Sequence, residues 1–192
     1  HILPKVLWLV EEPNPMAVSI AIPLYWVAEE ASTLRLRILF TGQGGDELFG
    51  GYQRYLKIYQ SLGIKGVENA IYRDIKFLSR RNLERDEKVC SFHGVELRLP
   101  FTDWNLIEFS LDIPANLKLY SSNDPLRKRV LRKLAEKIDL PPEIYKRKKK
   151  AVQYATGVDK ALRKLAKRRG TTLKGLMEGY WRRIRWEIPA PP

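Results

Sequence analysis

Two carboxylates, Asp46 and Glu47, close a glycine-rich turn, Thr41-Gly42-Gln43-Gly44-Gly45. Five consecutive cations, Lys146-Arg147-Lys148-Lys149-Lys150, follow far downstream. Glycines at such a turn let backbone approach a ligand closely and adopt positive φ. The turn's amides, with a helix start behind them, attract phosphate oxygens. Asp46 and Glu47 repel a bare phosphate, and a magnesium ion removes that conflict by bridging one or two carboxylates to phosphate oxygens. Asp46 is equally suited to capping the following helix, as aspartate often does. The basic run points to a polyanion, either nucleic acid or the phosphates of a nucleotide, or else it is a solvated face.

The elements that must position these residues follow from the pattern around them. Leu34 to Phe40 is β-branched and aliphatic and stops abruptly at Thr41, which predicts a strand, with helix resuming from Asp46 to about Leu62. A strand that ends in a glycine turn and passes into a helix is where open α/β sheets place their ligands. Upstream, Lys5 to Val10 reads as a short strand, and Met16 to Ala31 as a buried helix that contains Pro23. Downstream the pattern is mostly helical. Asp124-Pro125 marks a helix start, with Leu126, Val130, Leu131, Leu134 and Ile138 on one stripe and Arg127, Lys128, Arg132 and Lys133 largely opposite. A last amphipathic helix spans roughly Leu173 to Trp186. The whole reads as the C-terminal half of an α/β core over residues 1–64 and a helical extension over residues 65–192.

The formal net charge is +13, and residues 143–169 alone hold 11 Lys and Arg against 2 acids, a local +9 that leaves +4 elsewhere. One cysteine, Cys90, rules out a disulfide within the chain, and two histidines argue against a zinc site. No apolar run approaches the ~20 residues of a membrane span, so a cytoplasmic protein with no membrane partner is the expectation. The chain starts at His1 without a methionine, which points to sequence upstream.

Three ordered blocks carry a family resemblance. Leu39-Phe40-Thr41-Gly42-Gln43-Gly44-Gly45-Asp46-Glu47-Leu48-Phe49-Gly50-Gly51-Tyr52 resembles the Ser-Gly-Glu-Gly-x-Asp-Glu-x-Phe-Gly-Gly-Tyr motif of asparagine synthetases and the related β-lactam synthetases. Arg85-Asp86-Glu87-Lys88 through Gly94-Val95-Glu96-Leu97-Arg98-Leu99-Pro100-Phe101-Thr102-Asp103 is similar to that family's Arg-x-x-Lys … Glu-x-Arg-x-Pro-Phe-x-Asp segment. Arg147-Lys148-Lys149-Lys150, with Gln153-Tyr154 and Gly157, resembles its late Arg-x-Lys loop.

The resemblance implies an α/β fold: part of a parallel-sheet ATP-pyrophosphatase domain of the adenine-nucleotide α-hydrolase type, with a mainly helical C-terminal region. It implies ATP and magnesium as cofactors. Aspartate would be activated as an acyl-adenylate and aminated by ammonia, or by glutamine through a separate glutaminase domain. Asp46 would hold the metal and pyrophosphate. Thr41, Gly42, Gly44 and Gly45 would line the nucleotide. Lys149 would neutralise the phosphates, with Lys148 and Lys150 as neighbouring candidates. Glu96, Arg98 and Asp103 read as structural, a buried acid with its arginine near a proline turn. Tyr52 and Tyr55 read as packing, Cys90 as a buried small hydrophobe and His93 as structural.

The chain departs from the family pattern in three respects. Gln43 stands where asparagine synthetases carry a glutamate, and an amide can position a nucleophile but cannot act as a base near neutral pH. The Ser-Gly-Gly-x-Asp-Ser pyrophosphate loop and the glutaminase domain are absent from these 192 residues, so a complementing N-terminal segment or subunit is expected and little turnover is expected without one. Two other functions fit the same residues: an adenylating relative that acts on another carboxylate, and an inactive remnant that binds nucleotide or RNA through Lys146–Lys150 and Lys160–Arg169. Steep salt dependence would mark the last.

Overall fold

A computed structural model describes residues 1–185, the side chain of Arg81 excepted. In chain order come α1 (Leu3–Val10), α2 (Pro15–Thr33), β1 (Ile38–Phe40), α3 (Gly45–Leu48), α4 (Gln53–Lys76), α5 (Glu84–Phe92) and β2 (Glu96–Arg98). The rest is helical: α6 (Trp104–Asp112), α7 (Ala115–Lys118), α8 (Arg129–Lys137), α9 (Pro142–Tyr145), α10 (Val152–Ala155), α11 (Val158–Arg168) and α12 (Leu173–Ile184). Most of the described chain is therefore helix. Its strands form a two-stranded parallel sheet with Ile38 opposite Glu96, Leu39 opposite Leu97 and Phe40 opposite Arg98.

Two compact units interleave along the sequence. One comprises residues 1–40, 82–98 and those from 150 onward; the other comprises residues 41–81 and 99–149. Residues 64 and 65 both lie inside α4.

In the first unit α2 is the central helix. The Asn14 side chain accepts the Met16 and Ala17 N–H groups at 3.0 and 3.2 Å, and Pro15 occupies the first turn, so the helix start is capped. Its apolar side chains Val18, Ala21, Ile22 and Tyr25 pack with Val6 and Leu7 of α1 and with Met177 of α12. The stretch from Lys5 to Val10, expected as a strand, is helix α1. Leu3, Val6, Leu7 and Val10 recur at helical spacing and are all buried, and burying that stripe outweighs the local β preference of valine and tryptophan.

The expected strand from Leu34 shortens to Ile38–Phe40 for a related reason. Arg35 takes φ 58° and the Leu36 N–H returns to the Ala31 carbonyl at 2.8 Å, so the C-terminal cap of α2 consumes the first residues. Cys90 and His93 are buried, and the His93 ring meets Tyr25 edge-on at 4.4 Å between centroids. Glu96 is not buried. It is half-exposed on β2 and pairs with the equally exposed Arg98 at 2.7 Å, because both point to the open face of a two-stranded sheet.

The second unit is built on α4, which packs against α3 and α7. Tyr55, Val67, Ile71, Ala115 and Leu119 form its core. The helix expected from Asp46 to Leu62 is broken: α3 makes a single turn, Gly50 adopts φ 71°, and α4 starts only at Gln53. Gly63, at φ 65° and ψ −167°, interrupts α4 in turn. Asp103 accepts the Leu106 N–H at 3.1 Å and so caps α6. The expected last helix corresponds to α12, and Trp186 lies outside the described residues. No described helix is long and apolar enough to cross a membrane.

Candidate active site

The glycine turn, the segment before α8 and the segment after α9 converge within the second unit. Gly44 adopts φ 94°, where a side chain is strained, and an added Cβ would stand 3.1 Å from the Phe101 carbonyl oxygen. This lets the chain fold back and present Asp46 from the single turn of α3. Lys128 Nζ lies 2.8 Å from Asp46 Oδ1, and Lys149 Nζ lies 2.8 Å from Oδ2. The three side chains are only 21–25% exposed. Gly51 makes room for this cluster, since a Cβ there would sit 1.9 Å from Asp46 Oδ1 and 2.4 Å from Lys128 Cε.

A second layer holds these groups. Tyr52 donates its hydroxyl to Glu47 Oε1 at 2.5 Å, and Lys149 Nζ rests over the Tyr52 ring, 5.1 Å from its centroid. The Arg54 guanidinium lies 4.2 Å from the centroid of the same ring and pairs with Asp74 at 2.5 Å, while Tyr55 donates to Asp74 at 2.6 Å. The two tyrosines read from sequence as packing residues thus also carry polar connections.

These surroundings separate the two adjacent carboxylates. Burial alone would raise the Asp46 pKa, but Lys128 and then Lys149 overcome it and hold Asp46 below the ordinary carboxylate value. Burial raises Glu47 despite the Tyr52 hydrogen bond. Burial, then the Glu47 charge and hydrogen bond, raise Tyr52, so it stays a protonated donor. The Asp46 carboxylate thus lies between two lysine ammonium groups, each 2.8 Å away.

The lysines reach the site from irregular segments. Arg127 and Lys128 adopt left-handed φ of 54° and 49°, and α8 starts only at Arg129, not at the Asp124-Pro125 pair. The cause is Asp124: its buried carboxylate accepts the main-chain N–H groups of Leu126 and Arg127 at 3.0 and 3.2 Å and pairs with Arg129 at 2.6 Å. That tight turn takes up the residues expected to form the first helical turn. Beside it lies a groove of about 500 Å³ lined by Lys57, Arg127, Lys148 and Lys149 among others. The Arg127 Nε is buried there without a hydrogen-bond partner.

Of the residues singled out in sequence, Asp46 and Lys149 are in direct contact. Gly44 and Gly45 are buried on the turn, Gly42 is exposed with nothing within 4 Å of an added Cβ, and Gln43 is half-buried. The Thr41 hydroxyl is buried without a hydrogen-bond partner. Lys148 lines the groove. The sequence reading missed Lys128, which it placed on the polar face of a continuous helix. Its usable signal was the Asp124-Pro125 pair itself, which serves a buried turn as well as a helix start.

Asp46 Oδ1 is buried, and the Lys128 ammonium meets it at 2.8 Å. Such an oxygen suits a magnesium ion that arrives on phosphate oxygens and takes one protein carboxylate. No group of three or more His, Cys, Asp or Glu able to hold a metal occurs among the described residues.

The site is thus a carboxylate held between two lysines at a glycine turn. The asparagine synthase family profile matches residues 1–64 and 59–185. The chain is 34% identical over 203 aligned residues to the putative glutamine-hydrolyzing asparagine synthetase 1 of Methanocaldococcus jannaschii, covering 91% of this chain and 37% of that protein. It is 34% identical over 126 residues to asparagine synthetase domain-containing protein 1 of Mus musculus, covering 65% of this chain and 20% of that protein. It is 31% identical over 160 residues to the glutamine-hydrolyzing asparagine synthetase 2 of Oryza sativa, covering 81% of this chain and 26% of that protein. The chain belongs to the asparagine synthase family. It spans 37% or less of the length of these relatives.

Proposed function

We propose that these residues form part of the ATP site of an amide-forming ligase, in which aspartate attacks the α-phosphorus of ATP to give an acyl-adenylate and pyrophosphate. Ammonia then attacks the acyl carbon and displaces AMP, giving asparagine. The observation that carries this reading is Asp46 held at 2.8 Å by both Lys128 and Lys149.

Asp46 would hold a magnesium ion, which when bound would supply neutralisation of phosphate charge. Lys149 follows the negative charge that builds on the departing pyrophosphate, as a flexible point cation can. Its position over the Tyr52 ring, fixed by the Tyr52–Glu47 hydrogen bond, restricts where that ammonium sits before the step. Lys128 supplies a second cation on the opposite oxygen of Asp46. Thr41, Gly42, Gly44 and Gly45 line the nucleotide, and Gln43 orients the attacking ammonia through its amide.

The remaining phosphate donors, and any glutaminase that releases ammonia from glutamine, belong in this proposal to another segment or subunit. The open sheet supports it: Ile38 is 48% and Phe40 69% exposed on β1, apolar side chains that further strands would cover.

The test is ATP–pyrophosphate exchange by the complete encoded polypeptide against a panel of carboxylic acids. Aspartate-dependent exchange that disappears in Asp46→Asn and Lys149→Ala is the expected outcome. Exchange with another acid alone would move the substrate assignment to that acid. Absence of exchange with every acid, with salt-sensitive RNA binding in its place, would overturn the ligase reading.

A further inference from the structure

The two lysines of the site come from loops, and one side chain touches both loops. Arg132, in the first turn of α8, directs its guanidinium at main-chain carbonyls. Nε donates to Arg127 O at 2.8 Å and Leu126 O at 3.1 Å, and Nη2 donates to Leu126 O at 2.7 Å. Nη1 donates to Arg147 O at 3.0 Å and also to Tyr145 O. The first carbonyls end one residue before Lys128, and the second set ends two residues before Lys149. Arg132 has no carboxylate partner among the described residues, so its charge-assisted bonds all serve these two backbones.

Neither loop has regular structure of its own at these points. Arg127 and Lys128 are left-handed, and residues 146–150 are turn and coil after α9. Strained or irregular backbone persists only where its surroundings over-determine it. A guanidinium is planar and rigid, so it fixes the separation between two groups of carbonyls in a way that an ammonium on a flexible stem does not. The main-chain distance from Arg127 O to Arg147 O thereby sets how far apart Lys128 and Lys149 leave the backbone.

We infer that Arg132 is a positioning residue that holds the Lys128 and Lys149 loops in register, so that both ammonium groups meet the one carboxylate of Asp46. The inference rests on the ligase reading for its catalytic consequence, but its structural content stands apart from it.

The test uses Arg132→Gln, Arg132→Lys, Lys149→Ala and the double variant Arg132→Gln/Lys149→Ala in the complete polypeptide. Misplacing the lysines should lower the maximal rate of aspartate-dependent exchange on the order of 10²-fold while the aspartate KM stays close to wild type. Arg132→Lys should not restore it. The double variant should be slower than Lys149→Ala by less than the factor that Arg132→Gln costs alone, because with Lys149 gone Arg132 acts only through Lys128. Losses that multiply in the double variant, or full rescue by Arg132→Lys, would overturn the inference.

A second readout needs no activity. Acetylation of Lys128 and Lys149 by an amine-reactive reagent, followed by mass spectrometry, should accelerate at both positions in Arg132→Gln, while α1 and α2 keep wild-type hydrogen exchange. Acceleration at one lysine only, or at neither, would refute the shared strut. If the wild-type protein exchanges no acid at all, the ligase reading fails and the acetylation result still judges Arg132.

Discussion

Gly51→Ala separates the geometry of this site from the stability of the fold. Gly51 is not among the residues with positive φ, so alanine suits its backbone and only space is at issue. The new methyl would lie 1.9 Å from Asp46 Oδ1 and 2.4 Å from Lys128 Cε. An ordinary C···O contact is about 3.3 Å, so the carboxylate oxygen must retreat by about 1.4 Å. That retreat is large against a 2.8 Å ion pair, and it breaks the contact with Lys128 or with Lys149.

The obstructing atoms are ends of flexible side chains, and because Asp46 can keep one lysine while it yields the other, the loss is on the order of 1 kcal/mol. A loss near 1 kcal/mol lowers the Tm of a chain this size by only about 2–4 °C. A misplacement of more than about 1 Å at reacting groups, in contrast, costs on the order of 10²-fold in rate. Gly51→Ala should therefore stay folded by thermal shift and lose most of its pyrophosphate exchange. Gly179→Ala, with nothing within 4 Å of the new Cβ, serves as the control and should leave exchange unchanged. Exchange by Gly51→Ala within twofold of wild type would refute the placement of Asp46 at the reacting phosphates.

Two further predictions concern buried charge. Burial would raise the Asp124 pKa, but Arg129 and the main-chain donors of Arg127, Leu126 and Tyr120 hold it at about 2, against an ordinary 3.8. A depressed carboxylate stabilises fully above its unfolded pKa and loses that contribution as pH falls through the folded value. Asp124→Asn should thus lower Tm at pH 7 by an amount that shrinks between about pH 4 and pH 2, read from thermal melts of both proteins. A gap independent of pH would contradict the assignment. Lys118 is buried with its ammonium donating to Ser110 O at 2.6 Å, and burial lowers its pKa from 10.5 to about 8. Between those values the unfolded chain binds more protons, so stability rises with pH. Lys118→Met should stabilise at pH 7, and the gain should fade toward pH 10. Destabilisation at pH 7 would mean that the Ser110 bond outweighs the desolvation.

What could be read in the sequence was short-range chemistry. The glycine turn from Thr41 to Gly45 declared itself through residue type, as did Asp46 beside it and the basic run that holds Lys149. The long apolar stretch of α2 was equally plain, because apolar residues fill nearly all sides of it from Met16 to Ala31. The strand assigned to Lys5–Val10 failed because the five-residue apolar run from Val6 to Val10 satisfies both periods, and only packing against α2 selects the helix. Leu34–Arg37 looked like strand by composition, yet a left-handed Arg35 ended α2 there instead. Lys128 was hidden by the helical pattern of its neighbours.

The sequence alone determined which groups are available: a carboxylate beside glycines able to take positive φ, lysines in a dense cationic run, and three ordered motifs of one family. Those properties belong to single residues and near neighbours, so they survive without coordinates. Only the tertiary structure decided which lysines meet Asp46, that Tyr52 carries Lys149, and that Arg132 ties together loops distant in sequence. Each of those contacts joins segments separated by many residues, and their distances come from how helices pack and where buried Asp124 turns the chain. No local pattern encodes them.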